Sequence, residues 1–165
     1  MQIFHKFILS VCLMAMLISP CSANETLTPT TLKTGEMLPV TDLTTLTNEK
    51  RSTAQLTYPL ILSVFTTWCT ICKKELPQLS ILLRDARSKN IPLTIVGVDA
   101  GEMANKVLSF QRRQHLGFEL VIDSNLDLVK KLQIKGTPVI LVFNKAGKLT
   151  FQGNRVPPQW QSLIQ

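Results

Sequence analysis

No stretch of this chain holds the ~20 uninterrupted apolar residues of a membrane-spanning helix, which excludes a polytopic membrane protein. Histidine is scarce, with two residues, and cysteine counts only four, so most multi-metal sites are excluded as well. Aromatic residues make up 6% and are mostly phenylalanine. There is no internal repeat, no low-complexity linker and no recognisable nucleic-acid motif. Acidic residues number 11 against 18 Lys and Arg, but the basic ones are scattered, with short doublets at Lys73-Lys74, Arg112-Arg113 and Lys130-Lys131. A net charge of +7 spread this way describes a solvated basic surface, or mild attraction to anionic membranes and acidic partners, rather than a nucleic-acid interface. What is present is ordinary: 165 residues, 45% hydrophobic and 18% charged, make one folded domain with a real core, which excludes wholesale disorder.

The N-terminus stands apart from that domain. Lys6 is followed by an apolar run over 8–18, broken only by Ser10, and Ser19-Pro20 ends it. Cys21-Ser22-Ala23 then places small residues where a signal peptidase reads. Residues 1–23 are therefore expected to be a secretory signal peptide cleaved after Ala23, leaving one domain over 24–165. An uncleaved anchor is disfavoured, because the run is short for a bilayer. A lipoprotein acylated at Cys21 is disfavoured by Pro20, where such signals want Gly, Ala or Ser. Cleavage leaves 17 basic against 11 acidic residues, a charge of +6, and only two cysteines, Cys69 and Cys72. Cysteines outside the cytoplasm usually staple small folds. A ring as small as this one constrains the unfolded chain very little, so the pair asks for a chemical reason instead.

The rest of the chain alternates between two periods. Residues 24–57, rich in Thr, read as an extended lead-in with one short edge strand or hairpin. Residues 59–66 are nearly continuously apolar, the pattern of a strand buried on both faces. From 71 to 89 the apolar residues Leu76, Leu79, Leu82, Leu83 and Ala86 recur at helical steps, with Pro77 displacing one backbone hydrogen bond. Strands follow at 93–98, 118–122 and 139–143, and helices at 103–115 (Val107, Leu108 and Phe110 inward) and 126–132. Asp99-Ala100-Gly101 reads as a turn, and Asn144 to Gly147 as a hairpin turn into a strand over 148–152. A last helix begins at Pro158, with Trp160 packing it on the sheet, and Met37 and Met103 read as core or loop residues. The sum is an α/β fold with a central mixed β-sheet flanked by helices.

The chemistry is expected at Trp68-Cys69-Thr70-Ile71-Cys72, where a buried strand gives way to a helix. Free N–H groups and the positive end of the helix dipole favour thiolate at Cys69, and thiolate is the species that attacks disulfides. Cys72, one turn on and deeper, can resolve a mixed disulfide. A structural zinc would need four ligands, while the mature chain offers two Cys and His115. Haem attachment would need His where Lys73 stands. His115 itself suits a helix C-terminus.

The segment Phe-Thr-Thr-Trp-Cys-Thr-Ile-Cys-Lys-Lys-Glu-Leu-Pro at 65–77, followed by Gly136-Thr137-Pro138, resembles the thioredoxin fold, and more closely the TlpA/ResA branch of extracytoplasmic thiol–disulfide oxidoreductases. The likeness covers about 35–155 and includes that branch's extra strand–helix segment, here near 99–123, with an N-terminal extension before it. It implies that Cys69 and Cys72 are the redox pair. Trp68, Thr137 and a cis Pro138 would form the substrate platform, with Thr137 offering backbone groups to an extended strand. Pro77 matches a helix-kinking proline. Glu75 matches an acidic residue near the thiols that would raise their pKa and shuttle a proton to or from Cys72; its plain alternative is a solvated residue paired with Lys74 or Gln78.

Some positions depart from the pattern. Ile71 stands where relatives often have Pro, Ser63 stands where thioredoxins bury an Asp, and Val139 follows Pro138 where cytochrome-maturation members usually show Glu. Thr66 precedes Cys69 as in a peroxiredoxin Thr-x-x-Cys, but Leu62 occupies that motif's Pro position. The expected activity is net reduction of protein disulfides in the periplasm or another extracytoplasmic compartment. It would be carried out by a monomer that draws electrons from a membrane donor and needs no cofactor beyond the Cys pair. Disulfide formation, or a redox-inert binding or chaperone module, are the alternatives.

Overall fold

The computed structural model describes residues 29–165; the expected signal at 1–23 lies outside them. The strands are β1 (Asp42–Thr45), β2 (Lys50–Ser52), β3 (Leu60–Phe65), β4 (Thr94–Asp99), β5 (Glu119–Ile122), β6 (Val139–Phe143) and β7 (Leu149–Gly153). The helices are α1 (Cys72–Ser88), α2 (Ala104–Arg113), α3 (Asp127–Lys131) and α4 (Trp160–Leu163), with a 3-10 turn at Thr53–Gln55. All seven strands join one mixed sheet in the order β2-β1-β5-β4-β3-β6-β7. The centre is parallel, with β3 on β4 and β4 on β5, and β6 runs antiparallel to β3.

The alternation of side chains along each strand explains how the sheet is filled. Ile61 and Phe65, Ile95, Leu120 and Ile122, Ile140 and Val142 point to one face, where α1, α2 and Trp160 cover them. Leu60, Leu62 and Val64, Val96 and Val98, Val121, Val139, Leu141 and Phe143 point to the other, covered by Leu128 and Leu132 around α3 and by Leu32, Leu38 and Leu56 of the lead-in. Both faces are roofed, so the central strands read as unbroken apolar runs. Gly97 is glycine because a Cβ there would lie 2.5 Å from Leu120 Cδ2 and 3.1 Å from Phe65 Cε1. Phe65 uses that space to stack on Phe110, with ring centroids 5.6 Å apart.

The lead-in forms the expected hairpin, and β1 also pairs antiparallel with β5, which joins it to the main sheet. Met37 and Met103 are 59% and 61% exposed, which selects the loop over the core among the two readings they allowed. Other expectations need correction. Leu108 is only half-buried, because Val107 and Phe110 occupy the inward stripe of α2. The last helix is a single turn that starts two residues after Pro158. The sequence also gave no sign that the Tyr58–Pro59 peptide would be cis.

Candidate active site

β3 is buried along its whole length and delivers the chain to Thr66-Thr67-Trp68-Cys69 at the C-terminal edge of the sheet. The turn closes on itself: the Cys69 N–H donates to the Thr66 carbonyl at 3.2 Å, and the Cys69 carbonyl accepts from Lys73 N–H at 3.2 Å, opening α1. Ile71, at the N-cap, supplies no side-chain acceptor, so the first N–H groups of the helix are left for other partners. One of them, the Cys72 N–H, lies 3.1 Å from Cys69 Sγ. This contact and the helix dipole both stabilise negative charge on that sulfur.

The two cysteines are joined as a disulfide with Cα atoms 5.2 Å apart. Cys72 is fully buried among Phe65, Leu76 and their neighbours, whereas Cys69 keeps a 7% opening to solvent. Trp68 beside it is 71% exposed, an unusual position for so large an apolar surface. The Thr137 carbonyl lies 3.4 Å from Cys69 Sγ, where it can accept from the thiol once the disulfide is opened. The Thr137–Pro138 peptide is cis, and Thr137 Oγ1 is 3.5 Å from Thr66 Oγ1. The structure thus gathers Trp68, Cys69, Cys72, Thr137 and Pro138 in one place.

Glu75 is one turn further along α1 and half-buried. Its ion-pair partner is Arg155, at 3.9 Å, rather than Lys74 or Gln78. Together with Leu79, Ile140 and Trp160 this pair lines a groove. A second groove is lined by Thr67, Trp68, Glu102, Asn105, Lys106 and Arg113.

Glu102 on this second groove and Asp99, tied to it through the Glu102 N–H, are two carboxyl groups that sequence reasoning missed. Glu102 accepts from Thr67 N–H at 2.6 Å and from Thr67 Oγ1–H at 2.8 Å, so it grips the residue two before Cys69. Behind it, Asp99 is completely buried at the end of β4 and accepts the Glu102 N–H at 2.7 Å. Burial pushes the Asp99 carboxyl up to about 7, with the nearby Glu102 charge and side chain adding to the effect against the pull of the Glu102 N–H. Burial also acts upward on Glu102, but the Thr67 donors, Asp99 and Lys106 outweigh it and hold that carboxyl below its ordinary value. The signal for Asp99 was its parity: it shares the inward face of β4 with Ile95 and Gly97, which a turn residue would not need to do. Asp123, also buried, has a different explanation, since its carboxylate accepts from Asp127 and Val129 N–H and caps α3. No group of three or more metal-ligating side chains occurs among the described residues.

Comparison with known proteins follows the same lines. Residues 34–152 match the AhpC/TSA family. The chain is 32% identical over 90 residues to sporulation thiol-disulfide oxidoreductase A of Bacillus subtilis, covering 54% of each chain. It is 27% identical to thiol-disulfide oxidoreductase ResA of the same organism, covering 54% of this chain and 49% of that one. The chain therefore spans about half the length of the curated relatives it matches. Among solved structures, StoA from Bacillus subtilis superposes with a TM-score of 0.59 at 25% identity, covering 76% of this chain and 95% of that one.

Proposed function

The chain belongs to the AhpC/TSA family, and we propose that it is an extracytoplasmic thiol–disulfide oxidoreductase that reduces disulfides in protein substrates. The observation that carries this reading is the asymmetry of the pair: Cys69, partly open, held by the Cys72 N–H and facing the Thr137 carbonyl, against a sealed Cys72. In the dithiol form the Cys69 thiolate attacks one sulfur of a substrate disulfide, and the other sulfur leaves as a thiolate that takes up a proton. Cys72, deprotonated in turn, attacks Cys69 Sγ of the mixed disulfide, releases the second substrate thiol and closes the Cys69–Cys72 disulfide. Two electrons pass to the substrate, and the protein must recover them from a dithiol donor, for which a membrane protein is the proposed source. Trp68, Thr137 and Pro138 form the docking platform, with Thr137 presenting its backbone to an extended substrate strand. Glu75 is proposed as the group that passes a proton to or from Cys72. A monomer exported by the signal at 1–23 and processed to 24–165 completes the reading. No helix among the described residues is long and apolar enough to cross a membrane.

The first test is to replace Cys72 with Ser. With resolution blocked, a Cys69-linked mixed disulfide should accumulate with a disulfide-bearing protein substrate, and no such adduct should form with Cys69→Ser. Absence of any adduct would remove the oxidoreductase reading. The reduction potential gives the direction: about −270 mV supports a reductase, and about −120 mV a disulfide-forming oxidase.

A further inference from the structure

Asp99 and Glu102 form a pair that the cysteine chemistry above does not use. Glu102 has both oxygens on Thr67, accepting its N–H and its hydroxyl, while the Glu102 N–H donates to Asp99 Oδ1. Asp99 Oδ2 is buried and has no donor among the described residues. A buried carboxylate oxygen without a partner is costly, and a proton on Oδ2 removes that cost at once. Glu102, tied to Asp99 through its own N–H, is the charged neighbour that acts on that carboxyl. We propose that Asp99 and Glu102 share one proton and act together as a positioning device for the Thr67-Trp68-Cys69 turn, tight and singly charged when Asp99 is protonated, loosened and doubly charged when it ionises. On the oxidoreductase reading, on which this rests, the device makes Cys69 less reactive than its own ionisation would allow as the medium turns alkaline.

The surroundings favour such a device. Lys106 and Arg113 of α2 line the groove with Glu102, and the Lys106 charge acts on its carboxylate. On the sheet side the register neighbours of Asp99 are the apolar Phe65 and Ile122. Asp123, whose N–H donates to the Asp99 carbonyl, has its own carboxylate engaged by α3. Among the described residues no cation pairs with Asp99, and its second charge is compensated only by moving Glu102 or admitting water. Either response disturbs Thr67. The negative charge added beside the N-terminus of α1 also opposes thiolate at Cys69.

The test follows alkylation of Cys69 in the reduced protein with a small neutral reagent, between pH 5 and 9, in the wild type and in Asp99→Asn. Asparagine can still accept the Glu102 N–H and donates to the Glu102 carboxylate, so it imitates the protonated pair at every pH. The two proteins should react alike at pH 5, and Asp99→Asn should react roughly threefold or more faster at pH 8, the direction expected when a nearby negative charge is removed. Selective carbon-13 labelling of aspartate in the unmodified protein gives a readout that needs no variant: the Asp99 carboxyl signal should titrate near neutrality and shift with it the Thr67 amide signal. Superimposable alkylation profiles, or an Asp99 carboxyl that titrates as an exposed aspartate does, would overturn the proposal. Should Cys72→Ser form no substrate adduct while the Asp99→Asn profile still differs, the pair stands and only the functional reading falls.

Discussion

The two faces of the central sheet are built from the same strands, yet they differ in kind. Leu60, Leu62, Val64, Val96, Val98, Val139, Leu141 and Phe143 give the face beneath α3 a wholly apolar lining. The alternate residues, turned toward α1, include Ser63, Gly97 and Asp99 among their apolar neighbours, and the two cysteines pack on this side. The buried side-chain oxygens that lack a partner among the described residues are Ser63 Oγ and Asp99 Oδ2, and both lie here. Ser63 Oγ carries a desolvation cost, and Asp99 Oδ2 escapes one only by holding a proton, arrangements a purely structural face would avoid. One face is therefore organised for stability, while the other accepts instability where the chemistry is placed.

The sharpest way to break that contrast is to cut each face once. Cys69→Ser should reduce disulfide exchange to the rate of the buffer alone and leave the thermal midpoint of the reduced protein nearly unchanged. Leu62, fully buried on the other face, should behave inversely. Leu62→Ala should cost about 2–5 kcal/mol in urea unfolding while the surviving folded protein keeps its exchange rate. If both variants lose activity in proportion to stability, the division between the faces is not real.

The next effect in size depends on pH. The folded Asp99 carboxyl ionises near 7, well above an ordinary aspartate, so the folded state holds the proton more tightly than the unfolded chain. Its contribution is intact below about pH 4 and is lost as pH rises toward 7, on the order of 4 kcal/mol in all. Glu102 has the opposite sign: its carboxyl is held below the ordinary value, so its contribution is present above the unfolded value and fades in acid. Urea midpoints should therefore fall between pH 5 and 8 in the wild type and stay level in Asp99→Asn. Parallel curves would mean that Asp99 is ionised and tolerated.

Much of this was legible in the sequence. The apolar runs of β3 and β6 and the helical stripe of α1 follow from burial on both faces and on one, and the strand–Trp-Cys-x-x-Cys–helix order placed the redox pair at a helix start. The grouping of Thr137 and Pro138 with Cys69 was legible only through family resemblance, because nothing local ties residues 68 positions apart. Three features were not legible. The partner of Glu75 is Arg155, from a tail that follows β7, and no spacing rule connects them. Asp99 looked like turn chemistry because a strand-end Asp followed by Gly101 has that composition, and Glu102 carried no signal of its own. The parity of Asp99 with Ile95 and Gly97 was the one hint, and the parallel register with β3, which sets Asp99 beside Phe65, makes plain that the aspartate is inside.

The smallest expected effect tests the contrast most finely. Ser63 is completely buried in β3, opposite Gly97 on one side and Ile140 on the other, and its Oγ has no partner. A buried hydroxyl left without a hydrogen bond costs about 1–3 kcal/mol, while deleting a single oxygen leaves too small a void to offset all of that. Ser63→Ala should therefore stabilise the protein by about 1 kcal/mol, read as a higher urea midpoint with unchanged slope. The reduction potential of the cysteine pair should stay where it was, since a hydroxyl at this position holds no proton that titrates in the working range. A loss of 1 kcal/mol or more in Ser63→Ala would mean that the hydroxyl is satisfied by an internal water, and the cost on the α1 face would then rest on Asp99 alone. A change in potential with stability held would mean something different: Ser63 would belong with Asp99 and Glu102 among the groups that tune Cys69 from beneath.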